Sequence, residues 1–236
     1  MNQENTKTPN TPPLVVGLIL FAIIFLISAP VVIKQMNSPE WLLPRADNWR
    51  VIARSTDKSV WEASDDVSAE HVNVKTSGGG FMVILQPTEL ATREAFFNDG
   101  LIANNTFKLS AEVNTPTDCH NGLTFRGNAQ GEYYLFLVSQ CANTYTVEIL
   151  RREAGRDLPR EALIPNTKIS DSVGQPRTLT VIGKGETYYF YINGVYVNQV
   201  IDSRLNGDRV GTEVLKCNGV DREIVFDFNN FMLAAP

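Results

Sequence analysis

The chain has 236 residues, a formal net charge of −5 and 43 % hydrophobic side chains. An acidic balance with no basic cluster or arginine-rich arm excludes a nucleic-acid surface. The only histidines, His71 and His120, offer no metal-ligand spacing, which excludes a zinc-finger-like framework.

In chain order, residues 1–13 are polar, rich in proline and without periodicity, and read as a flexible tail. Residues 14–33, Leu14 to Ile33, carry no charge, and twenty residues at helical rise span about 30 Å, the thickness of a bilayer's hydrocarbon core. The alternative is a cleaved signal peptide. The length of the run, the lone basic Lys7 before it and Pro30 directly after Ala29 favour an uncleaved single-pass transmembrane helix, with the lipid bilayer as partner. Lys34, Arg45, Arg50 and Arg54 follow the run, which taken alone favours a cytoplasmic C-terminal part. That rule weakens for long translocated domains, and a cysteine pair favours an oxidising compartment, so the C-terminal part is expected outside the cytoplasm at the cell membrane. Residues 34–46, with Pro39 and Pro44, form a short linker, and residues 47–236 have the size of one all-β domain.

Within that domain, His71 to Lys75 and Phe81 to Leu85 flank Gly78, Gly79 and Gly80 as an early hairpin, and Thr88 to Asn98 reads as a loop with one helical turn before a strand from Phe107 to Val113. Gly122 to Arg126 and Tyr133 to Ser139 form a hairpin. With its turn near Gln130, Cys119 falls opposite Cys141, which predicts a disulfide, subject to any bulge that shifts the register. Cys217 is left as a buried thiol, with rearranged pairing or an intermolecular bridge as alternatives. Thr187 to Ile192 and Val195 to Val200 flank Asn193-Gly194, the strongest two-residue turn signal. The register then pairs Tyr191 with Tyr196, Phe190 with Val197 and Tyr189 with Asn198. It turns Phe190, Ile192, Val195 and Val197 inward and leaves Tyr189, Tyr191, Tyr196 and Asn198 outward.

The order of Phe107 to Val113, Leu123-Thr124-Phe125-Arg126, Tyr133-Tyr134-Leu135-Phe136, Leu179 to Gly185, Phe190-Tyr191-Ile192-Asn193-Gly194, Asp202 and the Gly207 to Gly211 turn resembles the concanavalin A-like sandwiches. The laminin-G-like and family 16 glycoside-hydrolase-like domains are the nearest in pattern, over Asp47 to Leu233. The resemblance implies two antiparallel sheets packed as a jelly roll. Family 16 hydrolases set acidic residues at alternating positions on one strand, and no strand here has that cluster, so no catalytic residue is assigned. Glu148, Glu223 and Asp227 read as solvated carboxylates.

Asp202, Asn206 and Asp208 lie in a turn where laminin-G-like relatives hold calcium, although turn chemistry alone accounts for these residue types. No other cofactor is expected. The candidate binding surface is the face of Tyr189, Tyr191, Tyr196 and Asn198, with a second patch of Arg126, Tyr134 and Phe136 opposite Phe125, Leu135 and Leu137; aromatic cross-strand pairing explains the same residues without a ligand. The expected role is a non-catalytic, membrane-anchored interaction module, an accessory subunit partnered by other membrane proteins, with a glycan-binding module as the alternative and a glycan-active hydrolase behind it.

Overall fold

The computed structural model describes residues 49–54, 61–63, 75–77, 80–85, 93–97, 105–114, 119–170, 175–216 and 222–236. The run Leu14 to Ile33, His71 to Val74 and Cys217 lie outside them, and no helix among the described residues is long and apolar enough to cross a membrane.

All regular structure among the described residues is strand: β1 (Arg50–Arg54), β2 (Trp61–Ala63), β3 (Lys75–Ser77), β4 (Gly80–Leu85), β5 (Arg93–Phe97), β6 (Thr106–Asn114), β7 (Cys119–Gly127), β8 (Tyr133–Ser139), β9 (Thr144–Leu150), β10 (Arg152–Glu153), β11 (Arg156–Asp157), β12 (Glu161–Lys168), β13 (Arg177–Lys184), β14 (Thr187–Ile192), β15 (Val195–Ile201), β16 (Arg209–Lys216) and β17 (Ile224–Ala235). One sheet runs β15-β14-β13-β6-β17-β4-β3, with β1 also on β17, and a seven-stranded sheet runs β12-β9-β8-β7-β16-β5-β2. Every pairing is antiparallel, and β10 and β11 form a separate ribbon. A hairpin of β3 and β4 is present, with its first strand at Lys75–Ser77 where His71 to Lys75 was expected, whereas the segment read as a loop with a helical turn contains β5, a strand of the second sheet.

Alternation supplies one core between the sheets. Phe107, Leu109, Ala111 and Val113 on β6, Leu179 and Val181 on β13, and Phe226 and Phe228 on β17 meet Leu123, Phe125, Phe136, Val147 and Val214 from the other sheet. The rings interlock, with Phe125 5.0 Å from Tyr188 and 5.4 Å from Tyr134, and Phe136 5.0 Å from Phe190 between centroids. Such side chains bury the most apolar area per residue, and losing one costs about 3–5 kcal/mol. Gly183 admits the Phe107 ring to this core, because a Cβ there would overlap that ring.

Local turn chemistry sets the hairpins. Asn193 and Gly194 take φ of 52° and 74°, the left-handed pair that a two-residue hairpin turn requires. In the β7–β8 turn the Asn128 Oδ1 accepts hydrogen bonds from the backbone N–H of Gln130 and Glu132, both at 3.0 Å.

The β7–β8 register corrects two expectations. His120 pairs with Ser139 and Phe125 with Tyr134, and the Gln140 N–H bonds the Cys119 carbonyl at 2.9 Å, so the pairing is one residue off the expected one. A one-residue slip moves every side chain to the opposite face. Cys119 shares the inward face of β7 with Leu123 and Phe125 and is a buried thiol, Cys141 Sγ lies 3.7 Å from His120 Nε2, and the Cys119–Cys141 bridge is not formed. By the same slip, Tyr134 and Phe136 are buried in the core, and Leu135 and Leu137 join Tyr133 and Leu150 in a smaller cluster on the other side of the sheet.

Candidate functional site

The expected tyrosine face is more enclosed than alternation suggested. Tyr189 and Tyr191 turn away from the core but are themselves buried, and Tyr191 packs edge-on to Tyr196 at 5.8 Å and 67°. A bulge between the pairs at Phe190 and Tyr191 shifts the rest of β15, so Phe190 pairs with Asn198 and Tyr189 with Gln199. Asn198 thereby leaves the tyrosine row, and Val195, expected inside, is 50 % exposed. Arg126 is not an outer-patch residue either. Its backbone turns left-handed (φ 55°) beside a bulge in the β7–β16 pairing, and the buried guanidinium lies 5.3 Å above the Phe107 ring.

Tyr134 has a structural task. Its hydroxyl donates to Asp202 Oδ1 at 2.6 Å and accepts from the Leu205 N–H at 3.0 Å, pinning the segment after β15 to the second sheet. Burial, and after it the hydrogen bond to Asp202, hold the phenol well above its ordinary pKa. Arg204 grips the same carboxylate at 2.6 Å. Burial alone would raise the Asp202 pKa, and the hydrogen bonds from Arg204 and Tyr134 outweigh it, leaving the group below its ordinary value. Asp202 thus spends its carboxylate on Tyr134 and Arg204, and among the described residues no group of three or more His, Cys, Asp or Glu is arranged to hold a metal ion.

A cleft of about 340 Å³ opens on the outer face of the seven-stranded sheet. Long-range pairing assembles it in rungs. Leu215, His120, Ser139 and Thr144 face one another across β16, β7, β8 and β9, and Leu137 and Thr146 stand on the next rung. Arg160, just before β12, and Asn166, within the irregular part of β12, close the remaining sides with Glu148. Leu137 and Leu215 give apolar surface, and hydroxyls, a carboxylate and a guanidinium give directional partners, the mixture typical of small-ligand sites.

One buried ion pair supports the wall. Glu213, 0 % exposed, accepts the Tyr133 hydroxyl at 2.8 Å and meets Arg160 Nη1 at 2.7 Å; the same nitrogen lies 3.6 Å from Glu148. Burial on its own would lower the Arg160 pKa, and the Glu213 carboxylate more than reverses this, so the guanidinium is held firmly charged. Burial depresses the His120 pKa, which favours the neutral ring. Glu213 does not line the cleft, because Arg160 lies between it and the opening. Glu148 does line it, with its side chain 19 % exposed.

Sequence reasoning missed Glu213 and Arg160. The one available signal was a lone glutamate inside the apolar run Val210 to Leu215, a position where an unpaired charge is costly.

No protein-family model matches the chain, and no curated protein matches it. Solved structures do match. The carbohydrate-binding module CBM66 of Bacillus subtilis superimposes with a TM-score of 0.56 at 13 % identity, covering 74 % of this chain and 95 % of the module. A family 16 endo-glucanase of Bacteroides ovatus gives 0.52 at 10 % identity, covering 76 % and 95 %. The carbohydrate recognition domain of Emp46p, in a potassium-bound form, gives 0.51 at 12 %, covering 78 % and 92 %. These likenesses are of fold.

Proposed function

With the concanavalin A-like jelly roll as premise, we propose that the domain is a glycan-binding module and that the cleft on the seven-stranded sheet is its binding surface. The observation that carries this is the cleft itself, where apolar side chains and hydrogen-bonding groups from four adjacent strands and β12 meet at one open hollow. A sugar ring has an apolar face and a polar rim, and this lining matches both. Neighbours of similar fold that are a carbohydrate-binding module, a carbohydrate recognition domain and a glucanase support the reading.

Binding is favoured over turnover because among the described residues the cleft is lined by a single carboxylate, Glu148, whereas glycoside hydrolysis generally needs two flanking the bond. The uncharged run Leu14 to Ile33 supports a membrane anchor that holds this module outside the cytoplasm.

The test is glycan-array screening and calorimetry on the purified full chain, with Asn166→Trp to fill the exposed side of the cleft and Tyr196→Ala to disturb the tyrosine face. At least about tenfold weaker binding for Asn166→Trp alone, with unchanged thermal unfolding, is expected. Loss in Tyr196→Ala alone would move the site to the other sheet.

A further inference from the structure

Resting on the glycan-binding reading, we infer that the cleft selects neutral sugars and rejects acidic ones, with Glu148 as the specificity-determining residue. The charges decide this. One guanidinium, Arg160, stands between two carboxylates, Glu213 at 2.7 Å behind it and Glu148 at 3.6 Å on the cleft side, so its charge is shared by two anions, one of which faces the opening. Among the described lining residues the one guanidinium is therefore already engaged by two carboxylates and is not offered to a uronate or sulfate. His120, the other basic side chain in the lining, has its pKa depressed by burial and adds no positive charge at neutral pH. Lys168 holds the register position opposite Thr144 at the rim, but it is exposed, where solvent and salt screen it.

The same groups suit hydroxyls. Both ion pairs of Arg160 use Nη1, which leaves Nε and Nη2 without a hydrogen bond to the described residues. Glu148 meets Arg160 at 3.6 Å and no other described side chain, so its carboxylate retains acceptor capacity. A donor and an acceptor side by side match two neighbouring sugar hydroxyls, one accepting from Arg160 and one donating to Glu148. A carboxylate in place of either hydroxyl would face Glu148 at short range, and that repulsion corresponds to about tenfold in affinity at surface-like dielectric.

The experiment pairs neutral polysaccharides (glucan, fructan, mannan, xylan) with their carboxymethylated derivatives, titrated against the full chain and against Glu148→Gln, each checked by circular dichroism. Expected is binding of a neutral member, about tenfold or more loss on carboxymethylation, and at least about fivefold narrowing of that preference in Glu148→Gln. Equal or tighter binding of the acidic partner overturns the inference while leaving the binding reading intact. An unchanged preference in the variant overturns the role of Glu148. Binding of no polysaccharide overturns the glycan-binding reading itself, and the inference with it.

Discussion

Arg160→Met isolates the ion pair that supports the cleft. Glu213 is fully buried; its Oε1 is ion-paired with Arg160 at 2.7 Å and its Oε2 accepts the Tyr133 hydroxyl at 2.8 Å. Methionine keeps much of the aliphatic volume and removes the charge, so the effect measured is that of a buried carboxylate stripped of its cation. Breaking one side of such a pair costs about 3–5 kcal/mol, because the remaining charge stays desolvated. For a domain of this size each kcal/mol moves Tm by about 2–4 °C, so a drop of roughly 6–20 °C is expected. Removing the second charge as well separates this cause from lost packing. Arg160→Met combined with Glu213→Leu costs the Tyr133 hydroxyl its Glu213 acceptor, worth about 1–3 kcal/mol, in place of a buried charge, so the double variant is expected to regain about 2 kcal/mol over the single one. Urea and thermal unfolding of the three proteins measure both quantities. A single variant that loses less than about 1 kcal/mol, or a double variant no more stable than the single one, refutes the reasoning.

Gly183→Ala drives a methyl group into the Phe107 ring and is expected to lose about 1–3 kcal/mol, partly restored by Phe107→Leu in the same chain; an unchanged urea midpoint would show the contact to be loose. Cys119 is expected to resist maleimide in the native protein and to react once the protein is unfolded without reductant, as followed by peptide mass spectrometry; a Cys119 that stays unlabelled there would restore the bridged register. His120 has a folded pKa below its ordinary value of 6.5, so the folded state binds fewer protons than the unfolded chain in that range. Its contribution is fully present above about pH 6.5 and declines as the pH falls through the window below it, by at most about 1.4 kcal/mol per pH unit. His120→Gln is expected to flatten the difference between urea midpoints at pH 7.5 and 5.5, and an identical pH dependence in both proteins would contradict the burial assigned to the ring.

Turn chemistry and strand propensity act between neighbours in the chain, and that is why they were legible. Asn193-Gly194 dictated the β14–β15 turn, Tyr133 to Ser139 and Thr187 to Ile192 are strands with the bounds expected, and the motif order pointed to a sandwich. Facing was harder where both alternating sets are apolar. On β8, Tyr134 and Phe136 compete with Leu135 and Leu137 for the core, so the pattern alone does not choose. The choice came from pairing β8 with β7 one residue away from the symmetrical guess, which also parted Cys119 from Cys141. The Val197 bulge displaced Asn198 in the same way, for a bulge leaves no sequence signature in a uniformly β-prone strand.

The cleft was the least legible part. Its residues run from His120 to Leu215, and only the order β12-β9-β8-β7-β16 makes them neighbours. Local sequence determined that this chain forms antiparallel hairpins with one apolar face to bury, because alternation and turn residues operate within a few positions. Tertiary structure alone decided which faces meet and that Arg160 sits between Glu148 and Glu213, because those distances depend on long-range register, which no short stretch of sequence encodes.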